Sequence, residues 1–127
     1  MCICVFTEGL TNLTELYLND NPGLFGNLDS FSNLFELEVL DVSNLQTLTG
    51  DLSAIGELTR LVRVQVDGLG QSHGLHEAVS IAHEHLVWFS FANNLFKTLP
   101  EFQFPQLIVL NFPGHPNHAN LYLLTRL

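Results

Sequence analysis

Four histidines crowd one stretch of this chain: His73, His76, His83 and His85, with Glu77 and Glu84 among them. Imidazole and carboxylate groups are zinc ligands, but a site needs three or four of them converging in a tetrahedron. Leu75, Val79 and Ala82 have helical spacing, which predicts one short helix here. On such a helix His76 and His83 lie two turns apart on one face, while His85 points elsewhere. The pattern is not that of H-E-x-x-H. His76, His83 and His85 are therefore weak metal candidates, and the expectation is solvated histidines with no resident metal or cofactor. Their remaining chemistry is protonation between about pH 5 and 8. Against a formal charge of −9, acidification would reduce repulsion and favour self-association.

A second group of residues carries recognition chemistry instead. The frame of a large apolar residue, another three later and a third two after that occurs five times. It is seen at Leu13-Leu16-Leu18, Leu37-Leu40-Val42, Leu61-Val64-Val66, Leu86-Phe89-Phe91 and Leu107-Leu110-Phe112, with starting positions 24, 24, 25 and 21 residues apart. A period in the twenties with this frame is the mark of stacked coils, each contributing one short strand. Strand residues alternate between two faces. Positions two, four and six after each first leucine then turn outward and stack in columns. The first column reads Glu15, Val39, Arg63, Trp88, Val109; the second Tyr17, Asp41, Gln65, Ser90, Asn111; the third Asn19, Ser43, Asp67, Ala92, Pro113. Tyr17, Asp41, Arg63, Gln65 and Trp88 fall on one patch of this face, and Trp, Tyr and Arg are where binding energy concentrates. The competing reading is that Trp88 and Tyr17 only shield neighbouring strands.

The elements that hold these residues are legible between the frames. Leu10-Leu13, Phe31-Leu34-Leu37, Ile55-Leu58-Leu61 and Phe104-Leu107 approach each strand in steps of three and are expected to pack the opposite side onto the strand layer. Asn21 and Asn94 lie eight residues after their frame leucines, where a buried amide can satisfy turn backbone. Leu45 and Leu69 take that place in the second and third repeats, and Asn44 sits one residue early. Leu24-Phe-Gly26-Asn-Leu28 aligns with Leu48-Thr-Gly50-Asp-Leu52, glycine standing where the backbone turns tightly or lies against the next coil. The run from Leu40 to Leu52, followed by Ile55-Gly-Glu-Leu58, resembles the plant-type leucine-rich repeat, whose unit of about 24 residues carries an L-x-G-x-I-P element.

That resemblance covers roughly residues 10 to 125 and implies an α/β repeat fold. The implied form is a right-handed solenoid with a parallel sheet of five or six short strands on the concave face, and loops, 3₁₀ or short helical turns on the convex one. One domain spans 1–127, with repeats starting near 13, 37, 61, 86 and 107 and an irregular insertion at 67–85. The family's proline is missing from the first two repeats, and its cysteine-bearing caps are not visible. Leu121, Leu124 and Leu127 continue the rhythm toward a sixth strand. Without polar caps, the terminal coils imply a piece of a longer array or a chain that pairs end to end.

Composition bounds the function. Hydrophobic residues make up 46% and charged residues 13%, which excludes a disordered chain. Nine carboxylates precede Arg60, the first basic residue, so nucleic acid is disfavoured while a basic partner is tolerated. No apolar run approaches the ~18 residues of a membrane helix. Cys2 and Cys4 are too close to staple a fold, and a bridge between them on a strand would be strained. A G-x-S-x-G nucleophile elbow, phosphate-cradling glycine loops and kinase signatures are not expected. The expected function is non-catalytic protein or peptide binding on the concave face. A structural or self-assembling array and a histidine-rich metal- or pH-responsive module stand as alternatives. Compartment stays open: extracellular if the chain belongs to a receptor ectodomain, cytoplasmic otherwise.

Overall fold

Apolar residues three apart can share one side of the chain only if the backbone closes a turn at each step. In the computed structural model it does so. Leu34 donates its N–H to Phe31 O and Leu37 to Leu34 O; Leu58 donates to Ile55 O and Leu61 to Leu58 O, at 3.0–3.2 Å. These are i→i+3 bonds, the tight geometry that eclipses side chains at i and i+3. All four leucines are fully buried. The structure describes residues 2, 7–50, 53–69, 84–92, 106, 109–111 and 122–123. The predicted helix over 75–82 and Asn94 lie outside them.

Strands follow these approaches in chain order: β1 (Glu15–Tyr17), β2 (Gly26–Asn27), β3 (Val39–Asp41), β4 (Leu48–Thr49), β5 (Arg63–Gln65), β6 (Trp88–Ser90), β7 (Val109–Asn111) and β8 (Tyr122–Leu123). A 3₁₀ turn at Leu28–Phe31 and helix α1 (Ser53–Gly56) pack on each other between them. The main sheet has the order β1-β3-β5-β6-β7-β8. Its first five strands run parallel. Their middle residues pair as Leu16↔Leu40↔Val64↔Phe89↔Leu110, so the frame's second position forms one row across the sheet. Leu40, Val64 and Phe89 are at most 3% exposed. A parallel sheet with few helices is thus present. β8 differs from the expected parallel sixth strand: it pairs with β7 antiparallel, Leu110 opposite Leu123.

A second, two-stranded sheet lies across the chain from the first. β2 and β4 pair in parallel with Gly26 opposite Leu48, a step of 22 residues where the parallel strands of the main sheet step 24, 24, 25 and 21. Cys2 adds an isolated bridge to Phe25 on this side. Cys2 is disulfide-bonded.

Turn chemistry after the strands also departs from expectation. Asn21 is exposed and satisfies its own turn, donating Nδ2 to Leu18 O at 2.9 Å and Asn19 O at 3.1 Å, while Leu45 and Leu69 are buried. The recurring device sits one residue earlier. Asp20, Asn44 and Gly68 all adopt left-handed backbone, with φ of 59°, 62° and 66°. Asn44 Nδ2 reaches back 24 residues to Asp20 Oδ1 at 2.7 Å. That bond, and a second from Asn19, hold the Asp20 carboxyl below its ordinary range. Asp67, Gly68 and Leu69, assigned by sequence to the irregular insertion, still follow the ladder: Gly68 N–H donates to Ala92 O at 2.8 Å.

Two glycines are required by this packing. A Cβ on Gly68 would lie 2.6 Å from Asn44 Oδ1, and one on Gly50, at φ +95°, would overlap Asn27 Oδ1. Asn27 is the cap of the 3₁₀ turn, accepting from Asp29 N–H at 2.9 Å. Gly50→Ala and Gly68→Ala should each cost ~1–3 kcal/mol, left-handed strain adding to the displaced amide. Gly23, with open space around its Cα, should tolerate alanine within about 0.5 kcal/mol in the same urea unfolding series.

Candidate functional site

Pairing register decides which side chains become neighbours on the outward face of the sheet. Glu15, Val39, Arg63, Trp88 and Val109 fall in one row, and Tyr17, Asp41, Gln65, Ser90 and Asn111 in the next. These are the first two columns expected from sequence. The face is not uniformly open, however. Tyr17 is 58% exposed, whereas Ser90 is 1%, Ser43 4% and Ala92 5% exposed. The expectation that all three columns present free side chains is therefore corrected at Ser43, Ser90 and Ala92.

Asp67 explains the closure. Its Oδ1 accepts from Ser90 Oγ at 2.7 Å and from Ala92 N–H at 2.6 Å; its Oδ2 accepts from Gln65 Nε2 at 3.3 Å. Its own N–H donates to Ser43 Oγ at 3.3 Å. The carboxylate thus ties β5 to β6 and the residues just after it, by charge-assisted bonds of the strong kind, while the Asp67 N–H holds Ser43 after β3. Asp41 acts locally, Oδ1 accepting from Ser43 N–H at 3.0 Å.

Arg63 and Trp88, paired across β5 and β6, form the one side-chain contact among the five candidates with the character of an anchor. The Arg63 guanidinium carbon stands 4.8 Å from the Trp88 ring centroid, within cation–π range. The indole Nε1 is buried without a hydrogen-bond partner among the described residues. Tyr17 lies opposite Asp41, its hydroxyl 3.4 Å from Glu15 Oε2. The structure brings all five candidates to one face, with Gln65 drawn into the Asp67 network. The single ion pair among the described residues, Arg60 with Glu36, also spans one 24-residue step.

Metal chemistry finds no such support. His85 is exposed, next to a cleft of about 310 Å³ lined by Thr59, Arg60 and Glu84. His76 and His83 lie outside the described residues. No three His, Cys, Asp or Glu side chains converge on a cation position among the described residues. A second cleft of about 460 Å³ opens between Thr7, Glu8 and Thr11 on one side and Asp29, Asn33 and Phe35 on the other. No helix among the described residues is long and apolar enough to cross a membrane.

No family model, curated protein or solved structure matches this chain.

One motif stands against the expectation of a non-enzyme. Gly70-Gln71-Ser72-His73-Gly74 has G-x-S-x-G spacing, which corrects the expectation that this motif is absent. It lies outside the described residues. A nucleophile elbow turns sharply from its strand straight into a helix. Here Val66–Leu69 intervene after β5, and they are still held in the ladder: Val66 donates to Ser90 O and Gly68 to Ala92 O at 2.8 Å. We expect a fluorophosphonate probe to leave Ser72 unmodified, read by intact mass; stoichiometric labelling would establish a serine nucleophile. Asp67→Ala should cost ~1–3 kcal/mol in urea unfolding, because Ser90 Oγ and Ala92 N–H stay buried and lose their acceptor. Asp67→Asn should recover part of that loss.

Proposed function

We propose that the chain is a leucine-rich repeat solenoid of plant-type units, and that the concave face of its sheet binds a protein or peptide without catalysis. The observation that carries this reading is the register: residues 24 or 25 positions apart in sequence, chosen for their recognition chemistry, lie side by side on adjacent strands. Repeat proteins use such a face because each unit adds one strand and one row of side chains to an extended surface.

Arg63 on Trp88 is the proposed anchor. Stacking fixes the guanidinium plane and leaves its N–H edges for a ligand carbonyl or carboxylate, so less side-chain entropy is lost on binding. Tyr17 and Asp41 extend the patch toward β1 and supply a hydroxyl and a carboxylate for the ligand's donors. With a formal charge of −9 on the chain, a basic segment is favoured on approach. Asp67, Ser43 and Ser90 support the face without being part of the contact.

The test begins with a displayed random-peptide library selected against the whole chain. Arg63→Ala and Trp88→Ala are then measured for the enriched peptides, with far-UV circular dichroism and urea unfolding as folding controls. Each substitution should weaken binding by about tenfold or more while the fold is kept. Unchanged affinity in both folded variants, or the absence of any enriched peptide, would remove this patch as the binding surface.

A further inference from the structure

Turns of one geometry lead into β1, β3 and β5, and in each the residue just before the closing leucine faces solvent. Leu13 donates its N–H to Leu10 O at 3.0 Å, as Leu37 does to Leu34 O and Leu61 to Leu58 O. Asn12, Glu36 and Arg60 hold the equivalent place in these turns. Glu36 and Arg60 form an ion pair and still keep 45% and 53% of their side-chain surface exposed. The strands they lead into, β3 and β5, each have a paired strand on both sides. Exposure at this position therefore belongs to the turn itself and does not depend on a missing neighbour. Asn12 is exposed in the same way.

Asn12 also differs from the asparagines that follow it. Asn19, Asn21 and Asn44 donate their side-chain amides to oxygen acceptors in the turns, and Asn27 Oδ1 caps the 3₁₀ turn. Asn12 makes no such bond among the described residues. It opens the run Asn12-Leu13-Thr14, and no other asparagine of the chain has Ser or Thr two residues on. An exposed triplet of this form is an acceptor for an asparagine-linked glycan. An independent observation agrees: Cys2 is disulfide-bonded, and disulfides form and persist along the oxidising export route and are rare in the cytosol.

We propose that Asn12 carries an N-linked glycan. Its side-chain nitrogen bonds to the anomeric carbon of a lipid-pyrophosphate-linked oligosaccharide. The pyrophosphate leaves on its lipid with the bonding electron pair, and the amide gives up one proton. The Thr14 hydroxyl, also exposed, completes the acceptor. Phe35 offers the first sugar a surface: it is 55% exposed, takes the place that Thr11 and Thr59 have in the turns on either side, and borders the 460 Å³ cleft together with Thr11. An aromatic face accepts the apolar face of a sugar ring, and the hydrated remainder of the glycan stays in solvent. The glycan stands where the chain enters β1, whereas Arg63 and Trp88 lie within β5 and β6. It flanks the recognition face without crossing the Arg63–Trp88 stack.

Expression of the whole chain in cultured eukaryotic cells, behind a cleavable export leader, tests this. The secreted, folded chain should carry one glycan, read as an added intact mass that peptide-N-glycosidase removes, leaving aspartate at position 12. Asn12→Gln and Thr14→Ala should each abolish the added mass, and Thr14→Ser should keep it. The glycosylated chain should unfold in urea at a midpoint no lower than the same chain after deglycosylation. A secreted, folded chain with Asn12 unmodified, or a glycosidase-sensitive mass that persists in Asn12→Gln, would overturn the proposal. So would a glycosylated chain that is retained while Asn12→Gln is secreted in folded form. If neither is secreted, the same mass comparison on chains held in the export compartment decides. The site does not rest on the recognition reading: peptide binding should be equal in the parent chain and Asn12→Gln, and its loss in Trp88→Ala leaves the glycan in place.

Discussion

Parallel pairing at a nearly constant sequence step is the constraint on which the rest of this structure depends. Once Leu16, Leu40, Val64 and Phe89 lie in one row, each strand's inner side is committed to the core and its outer side to the opposite face. A residue on the outer face cannot be moved inward by local adjustment, because a one-residue slip inverts the whole strand. The Arg63–Trp88 stack and the Asp67 network are both consequences.

Two devices hold adjacent coils at this spacing, and both use polar groups in place of added apolar contact. Left-handed turns at Asp20, Asn44 and Gly68 put three equivalent residues in line, and the Asn44 amide bridges the first two. Gly68 then needs no side chain, because the Asn44 carbonyl oxygen occupies the space its Cβ would take. On the far side of the same turn Asp67 collects donors from β5, β6 and the residues beyond. The step from 24 to 25 residues between β5 and β6 falls where Asp67 reaches Ser90 and Ala92, 23 and 25 residues away. A carboxylate with two oxygens and several lone pairs absorbs such a change in spacing more readily than an amide ladder of fixed geometry.

Much of this was legible in the residue pattern, and the misses have identifiable causes. The three-step leucines map onto successive i→i+3 turns, and the outward columns of β1, β3, β5 and β6 match the pairing register residue for residue. Strand periodicity and repeat length need nothing beyond sequence. The turn was not legible from Asn21, eight residues after its leucine, because the left-handed backbone belongs to Asp20 and its counterparts one residue earlier. Burial of Ser43 and Ser90 was not legible, since parity gives the direction of a side chain and says nothing of what hydrogen-bonds across it. The antiparallel β8 was hidden because leucines in steps of three approach a strand equally well whichever way that strand then runs.

The acidic balance of the chain takes on a definite meaning once the geometry is known. Asp20, Asp41 and Asp67 each hold a turn through a side-chain oxygen, so three of the 13 carboxylates are structural acceptors and not free surface charge. Glu36 is matched by Arg60 one step along. Glu15 is exposed on β1 beside Tyr17, whose hydroxyl lies 3.4 Å from its Oε2.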